Sequence, residues 1–226
     1  GTLSELEVEM AVLNKILGGS NTKEDNISRL KKNIAEVAEA VRAYPDRFLG
    51  FGAVPLGMEL EETEKWIDTQ ITSNSLYGIG EFTPGNERQI RQLDTVFQAL
   101  MDTRIYPVWV HTFHPVTVEG IKLLMSLCEK YPGIPIIFGH LGGSNWMDVI
   151  KFAKEHDNVY LDLSAAFVSI ATKIALTELP EMCLYSSDAP YGEPYLYRQL
   201  IEFVSPDKRT AEMALGENIS RLLELH

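Results

Sequence analysis

Six short apolar runs recur along this sequence, and a helical pattern separates each run from the next. Their starting positions are Arg47, Leu76, Arg104, Ile134, Val159 and Met182. The starts lie 23 to 30 residues apart, and strands that alternate with helices at such a period indicate βα units and a parallel sheet. The runs are rich in Val, Ile and Phe, which is typical of strands buried on both faces. The sequence therefore predicts an α/β fold built on parallel strands.

The helical patterns place apolar residues three and four positions apart, on one face of each predicted helix. After the first run they cover residues 66–71, 90–101, 121–128, 146–154, 168–179, 194–204 and 206–225. Two more helices are predicted before the first run, one over residues 3–17, with Leu3, Leu6, Met10, Leu13 and Leu17 on one face, and one over residues 24–43. The segment before Arg47 is therefore predicted to hold no strand.

The composition is that of an ordinary globular protein, with 45% hydrophobic and 23% charged residues among 226. We predict one domain over residues 1–226, with a helical part over 1–44 and six βα units and a C-terminal helix over 45–226. The formal net charge is −12. Nucleic acids and anionic membrane surfaces are bound by clustered Lys and Arg, so the charge excludes both as expected partners.

Two further features concern the compartment. No apolar run reaches the ~18 residues that read as a membrane span, and the acidic N-terminus does not resemble a signal peptide. Cys128 and Cys183 lack the spacing of a metal site and fall within apolar patterns, so we interpret both as core residues. These features predict a reduced, cytoplasmic protein.

Acidic residues and histidines stand at the ends of the apolar runs, where parallel α/β folds place their functional sites. They are Glu81, His111, His140, Asp162 and Asp188, with Ser164 close behind Asp162. Imidazole and carboxylate groups bind Zn²⁺ and similar divalent ions. A catalytic ion lowers the pKa of its bound water to about 7, and a nearby carboxylate can then accept the proton. The set predicts a metal-dependent site.

Each of these residues also has a structural interpretation when it is taken alone. A single histidine at a strand end is more often a hydrogen-bonded structural residue, Glu81 could cap the following loop, and Asp188 could cap the next helix. Asp162 is interpreted as structural. His114 fits a loop role, and the backbone N–H groups of residues 142–145 could hold a carboxylate or form a plain tight turn. Independent structural residues would not gather at one end of one sheet, so the set favours a functional site.

Four motifs at these residues resemble a known family. They are PVWVH ending at His111, IIFGHLGGSNW around His140, VYLDLSA around Asp162 and LYSSDAPYG around Asp188. Together with the closing GENISRLLEL they resemble the amidohydrolase superfamily, in its amidohydrolase-2 group. That group includes aminocarboxymuconate semialdehyde decarboxylase and related metal-dependent hydrolases. The resemblance runs from about residue 44 to the C-terminus.

The resemblance implies a distorted (β/α)8 barrel of the TIM type and a divalent metal ion, with zinc as the first expectation. By the matching motifs, His111 is a metal ligand, and His140 contacts the ion or its water and the substrate. Asp188 is a ligand and proton carrier, and Glu81 occupies a ligand position that some branches use. The expected catalytic residues are therefore Asp188 and His140, and the expected metal ligands are His111, His140, Asp188 and Glu81.

The sequence also departs from the family. The H-x-H pair that ends the family's first strand is absent from this chain. If His111 ends the fifth strand, Leu76 begins the fourth and Arg47 the third, so strands 3 to 8 are identified and strands 1 and 2 have no candidate. A (β/α)8 barrel typically needs about 250 residues. We therefore expect a chain shortened at its N-terminus.

The preferred function is a metal-dependent hydrolase that attacks an amide, lactone or related bond of a small organic substrate through a metal-activated water. One alternative is a non-hydrolytic decarboxylase of the same family, and another is a non-catalytic barrel remnant with a binding or assembly role. A metal-dependent deoxyribonuclease is a weaker alternative because the net charge opposes it. A homodimer is reasonable. The aromatic residues that could wall the pocket are Phe113, Trp146, Phe167, Tyr191 and Tyr195.

Overall fold

The computed structural model describes residues 11–13, 23–165 and 168–225. The chain divides into two compact units, Gly1–Val110 and His111–His226. Across the described residues, each observed strand pairing is parallel, which confirms the predicted α/β class. No helix in these residues is long and apolar enough to cross a membrane.

The first unit alternates strands and helices. Its strands are β1 (Ala11–Leu13), β2 (Phe48–Gly52), β3 (Gly78–Phe82) and β4 (Val108–His111), of which the last residue belongs to the second unit. Its helices are α1 (Lys23–Ala43), α2 (Leu60–Trp66), which continues as a π-helical turn over Ile67–Ile71, and α3 (Glu87–Asp102). The strands lie in the order β1-β2-β3-β4.

Strand β1 corrects the interpretation of the N-terminal segment. Ala11 pairs with Phe48 and Leu13 with Gly50 in parallel register, and the N–H of Ala11 donates to the carbonyl of Arg47 over 2.9 Å. The prediction that no strand precedes Arg47 is therefore wrong, and so is the helix predicted over residues 3–17 where it covers β1. The pattern failed because a three-residue apolar run fits either period, and pairing with the open edge of β2 decides between them. The remaining positions of that predicted face, Leu3, Leu6, Met10 and Leu17, lie outside the described residues.

Strand β3 packs closely against a side chain of β2 in the core of the first unit. All five residues of β3 are buried, and the ring of Phe51 on β2 lies so near Gly78 that a Cβ there would stand 2.3 Å from it. Glycine is needed at this position because any larger residue would displace the ring. The packing leaves β3 enclosed on both faces, and Glu81 is carried inside with it.

The second unit continues the alternation. Its further strands are β5 (Ile136–Gly139), β6 (Val159–Asp162) and β7 (Cys183–Leu184), in that order. Its helices are α4 (Val118–Lys130), α5 (Trp146–Ala153), α6 (Ser169–Glu178), α7 (Pro194–Val204), α8 (Lys208–Glu212) and α9 (Asn218–Leu222). A π-helical turn over Met213–Glu217 joins α8 to α9. All six predicted strands and the helices predicted after them are confirmed.

Two buried asparagines hold the amino-terminal ends of these strands. The side-chain amide of Asn218 donates to the carbonyls of Pro180 and Cys183, each over 2.8 Å. Cys128 and Cys183 are buried core residues, as predicted, and burial raises the pKa of both thiols. The thiolate form is disfavoured, so neither cysteine is a candidate nucleophile.

The amide of Asn158 generates a stability prediction. It donates to the carbonyls of Cys128, Tyr131 and Ile134 at 3.1 to 3.2 Å. Asn158→Asp places a buried carboxylate against three carbonyl oxygens, and we expect a loss of at least about 2 kcal/mol in unfolding free energy. Asn86→Asp is the matched control, because Asn86 is an exposed helix cap and Asp caps equally well. Urea unfolding measures both variants, and equal stabilities would contradict the prediction.

Candidate functional site

Three of the predicted residues come together at the carboxyl ends of strands in the second unit. His111 ends β4, His140 directly follows β5, and Asp162 ends β6. The Nε2 atom of His140 lies 3.0 Å from the Nδ1 atom of His111. The ring centroids are 4.7 Å apart and the rings meet edge to face at 74°. The sequence prediction that these strand ends meet is confirmed for the two histidines.

The position of the His111 proton follows from its outer contact. Its Nε2 atom lies 3.0 Å from the carbonyl oxygen of His114. A carbonyl can only accept a hydrogen bond, so Nε2 carries the hydrogen and donates it. In the neutral ring Nδ1 then holds a lone pair, directed at His140. His114 therefore acts through its backbone, which fits the loop role predicted for it.

His140 is held in an uncommon backbone conformation. Its φ is 63° and that of Leu141 is 54°, in the left-handed region that costs bulky residues about 1–3 kcal/mol. The backbone N–H of His140 donates to Oδ1 of Asp162 over 3.1 Å, and its Nδ1 atom lies 2.8 Å from the hydroxyl oxygen of Ser164. Strain of this kind persists only where the surroundings enforce it. Here Asp162 and Ser164 supply part of that enforcement.

Asp162 is the buried centre of this contact network. It is 1% exposed, and its Oδ1 accepts hydrogen bonds from His140 N–H, from Ser164 N–H over 2.8 Å and from the Ser164 hydroxyl. Burial raises the pKa of Asp162, while the charge of His140 and the hydrogen bonds oppose that rise. Its Oδ2 atom has no hydrogen-bond partner among the described residues. The structural role predicted for Asp162 is thus one of direct support for His140.

Thr112 is a supporting residue that sequence reasoning missed. It is 1% exposed, and its hydroxyl donates to the carbonyl of Gly139 and accepts from the N–H of Gly142 over 2.9 Å. These bonds tie the end of β4 to the turn that follows β5, and so fix His111 relative to His140. The only sequence signal was its position directly after His111.

Asp188 lies in the loop that follows β7. Its φ is 54°, and its carbonyl accepts hydrogen bonds from Tyr191 N–H over 2.8 Å and from Gly192 N–H over 3.0 Å. Among the described residues Asp188 is not grouped with the two histidines by ligand-atom distance. It does not cap the next helix either, because the side chain of Glu193 caps α7. Its role as ligand and proton carrier stays a prediction.

Glu81 belongs to the first unit. It stands on β3, is 7% exposed, and is flanked by buried apolar residues on the same strand. The helix after the following loop is capped by Asn86, whose side chain accepts from Gln89 N–H over 3.1 Å. The role of Glu81 as a metal ligand stays a prediction.

A cavity of about 280 Å³ opens beside His140 in the second unit. Its lining residues are Phe113, His140, Leu141, Gly143, Ser144, Trp146, Ala165, Val168 and Ala171. Phe113 and Trp146 are pocket walls, as predicted. Tyr191 and Tyr195 are instead 82% and 48% exposed, and Phe167 lies outside the described residues. The cavity matches a small substrate, because pockets for drug-sized ligands begin near 300 Å³.

Gly143 allows the turn after β5 to close this cavity. Its φ is +56°, and a Cβ there would lie 2.3 Å from the ring of Phe113. Both the left-handed backbone and the close ring favour glycine. The turn over His140–Asn145 is therefore shaped by its glycines.

This geometry predicts that Gly143→Ala damages both stability and cavity. Left-handed strain and displacement of Phe113 should together lower the unfolding free energy by about 1–3 kcal/mol. Gly216→Ala is the matched control, because nothing lies within 4 Å of a Cβ at Gly216. Thermal unfolding of both variants is the measurement, and a Gly143→Ala protein as stable as Gly216→Ala would refute the strain argument.

The chain was compared with protein-family models and with curated proteins. The model of the amidohydrolase family matches residues 6–225. No curated protein matches the chain.

Several solved structures share the fold at low sequence identity. 2,6-Dihydroxybenzoate decarboxylase from Rhizobium has a TM-score of 0.76 and 18% identity, over 99% of this chain and 86% of that chain. 5-Carboxyvanillate decarboxylase from Sphingomonas paucimobilis has a TM-score of 0.77 and 17% identity, over 99% and 81%. Dihydroxybenzoic acid decarboxylase from Polaromonas sp. JS666, with bound manganese and the inhibitor 2-nitroresorcinol, has a TM-score of 0.72 and 16% identity, over 99% and 84%.

Proposed function

Because this chain belongs to the amidohydrolase family, we propose that it is a metal-dependent enzyme that removes the carboxyl group of a small, largely apolar acid. The observation that carries the proposal is the pair of imidazole nitrogens, His111 Nδ1 and His140 Nε2, that face each other at 3.0 Å. Both nitrogens belong to rings that end or follow neighbouring strands, and imidazole nitrogen is a good ligand for first-row divalent ions. The donor set therefore fits a divalent metal ion.

The identity of the ion is part of the proposal. Zinc is the expectation from the sequence, and manganese is the ion in the Polaromonas decarboxylase structure. His111 and His140 are the proposed ligands in the second unit, and the sequence adds Asp188 and Glu81. When bound, the ion supplies positive charge that stabilises negative charge developing on the substrate.

The cavity favours decarboxylation over the hydrolysis first expected. Its walls are mainly apolar, with Phe113, Trp146 and Val168 among them. Loss of a carboxylate charge is easier in apolar surroundings, whereas hydrolysis needs water at the reacting bond. The decarboxylases among the structural relatives point the same way.

His140 is the titratable residue that lines this cavity. Decarboxylation replaces the carboxyl group by a proton on carbon, so the reaction needs a proton donor beside the substrate. We assign that role to Asp188, the proton carrier that the sequence predicts, and we keep His140 as the residue that contacts the ion and the substrate. Hydrolysis of an amide or lactone remains the second candidate, because the family model that matches the chain is described as amidohydrolase.

We also propose that the described parallel strands belong to the (β/α)8-type barrel that the sequence predicts. In such barrels the active site lies at the carboxyl ends of the strands. The positions of His111, His140 and Asp162 are consistent with that placement.

The proposal is tested by metal content and product analysis. The purified protein is reconstituted with Zn²⁺ or Mn²⁺ and assayed with small aromatic and aliphatic carboxylic acids for release of CO₂. We expect one divalent ion per chain and CO₂ release from an acid that fits the cavity. Hydrolysis of amides or lactones without CO₂ release would favour the hydrolase, and a protein that binds neither ion would support the non-catalytic alternative.

Removal of His111 should weaken the metal site. We expect His111→Gln to lower metal affinity by at least about tenfold to a hundredfold, the loss typical even for residues that only support a ligand. His156→Gln is the matched control, because the His156 ring instead stacks on Phe152 and contacts its carbonyl. Calorimetric titration with Zn²⁺ and Mn²⁺ gives both affinities, and equal values would exclude His111 as a ligand.

Asp188→Asn should separate catalysis from folding. Asparagine tolerates the left-handed conformation at this position, so we expect unfolding free energy to change little. Loss of the carboxylate should lower the rate of the reaction by about a hundredfold or more if it carries a proton. Asp157→Asn changes an exposed aspartate in the same way and is the control. A fully active Asp188→Asn enzyme would refute the assignment.

A further inference from the structure

We propose that Ser164, anchored by Asp162, is a positioning residue that keeps the ring proton of His140 on Nδ1. The opposite nitrogen, Nε2, then carries the lone pair of the ring and faces the proposed metal site. The catalytic meaning of this inference rests on the proposed function, whereas the position of the proton does not.

The direction of the Ser164 hydroxyl depends on its two partners. The oxygen of Ser164 contacts two groups, Oδ1 of Asp162 and Nδ1 of His140, the latter over 2.8 Å. A serine hydroxyl has one proton to donate and two lone pairs that accept. If it donates to Asp162, it accepts from His140, and Nδ1 must carry the hydrogen.

Asp162 accepts the proton of the Ser164 hydroxyl. Its Oδ1 already accepts the backbone N–H groups of His140 and Ser164, over 3.1 and 2.8 Å. Backbone N–H groups can only donate, so they keep this oxygen an acceptor. The direction of the serine hydroxyl therefore follows from geometry alone.

The tautomer of His140 decides which atom faces His111. With its proton on Nδ1, neutral His140 presents a lone pair at Nε2, 3.0 Å from His111 Nδ1. His111 donates its Nε2–H to the His114 carbonyl, so its Nδ1 atom carries a second lone pair. In the opposite tautomer, Nε2–H of His140 would donate to His111 and close the pair with a hydrogen bond. Ser164 thus directs the lone pair of His140 to Nε2, the ring nitrogen that a metal ion would need.

A single oxygen of Asp162 controls both parts of His140. It accepts the backbone N–H of the residue in its left-handed conformation, with φ 63°, and it orients the ring through Ser164. Asp162 and Ser164 are both 1% exposed. Burial excludes water as a competing partner, so the orientation is maintained.

The experiment is ¹⁵N NMR of the histidine side chains in the metal-free protein of residues 1–226. Long-range ¹H–¹⁵N correlation distinguishes a protonated from an unprotonated ring nitrogen, and His140→Gln identifies the His140 signals by their loss. We expect a protonated Nδ1 and an unprotonated Nε2 at His140. A wild-type spectrum with the proton on Nε2 would overturn the proposal without the need for any variant.

Ser164→Ala provides the second arm. It removes the acceptor, so we expect the His140 proton to shift to Nε2 and the affinity for Mn²⁺ or Zn²⁺ to fall by about tenfold to a hundredfold. Ser126→Ala is the control, because its hydroxyl donates to the Lys122 carbonyl on the exposed face of α4, and it should change neither quantity. Ser164→Thr keeps the hydroxyl and should retain the wild-type tautomer. A folded Ser164→Ala protein with an unchanged His140 signal would overturn the proposal.

The outcomes separate this inference from the proposed function. A protonated Nδ1 in a protein that releases no CO₂ would support the positioning role and reject the decarboxylase. Metal binding and CO₂ release with the proton on Nε2 would do the reverse.

Discussion

The parallel pairing of buried strands is the constraint on which the second unit depends. Ile136 pairs with Val159 and Phe138 with Leu161, so β5 and β6 end at the same level. Because side chains alternate between faces, a register shift of one residue would turn every side chain on the strand to the other face. The burial of both strands prevents that shift. His140 and Asp162 meet because this register is maintained.

The two ends of these strands are built differently. At the amino-terminal end, Asn158 and Asn218 satisfy backbone carbonyls with well-formed hydrogen bonds, which is typical of groups that stabilise a fold. The carboxyl-terminal end instead has left-handed backbone at His140, Leu141 and Asp188, with φ between 54° and 63°. Among the described residues, a buried oxygen without a hydrogen-bond partner stands at each end, Oδ2 of Asp162 here and Oδ1 of Asn218 at the other. Strained backbone clusters at functional sites, so the left-handed residues favour the carboxyl-terminal end as the place of the proposed chemistry.

Residues that lie outside the cavity hold the histidine that lines it. Asp162 and Thr112 do not line the cavity. Their hydrogen bonds hold the backbone of His140 and of the turn that follows it. A histidine that moves a proton or binds a metal must present a particular nitrogen, and that choice depends on the partner of the other nitrogen. Structural relatives with only 16 to 18% identity retain the fold.

The sequence by itself determined the strand–helix alternation, the parallel sheet, the family and the strand-end positions of His111 and His140. Each of these depends on local apolar periodicity or on a contiguous motif such as GHLGG. Only the tertiary structure decided that β1 is a strand, that the His114 carbonyl orients His111, and that Asp162 and Ser164 orient His140. These contacts join residues that are distant in the sequence. Paired residues of β1 and β2 are 37 positions apart, and His140 is 22 positions from Asp162 and 24 from Ser164. A local pattern carries no information on such partners, because it reports which face of an element is buried and not what that face meets.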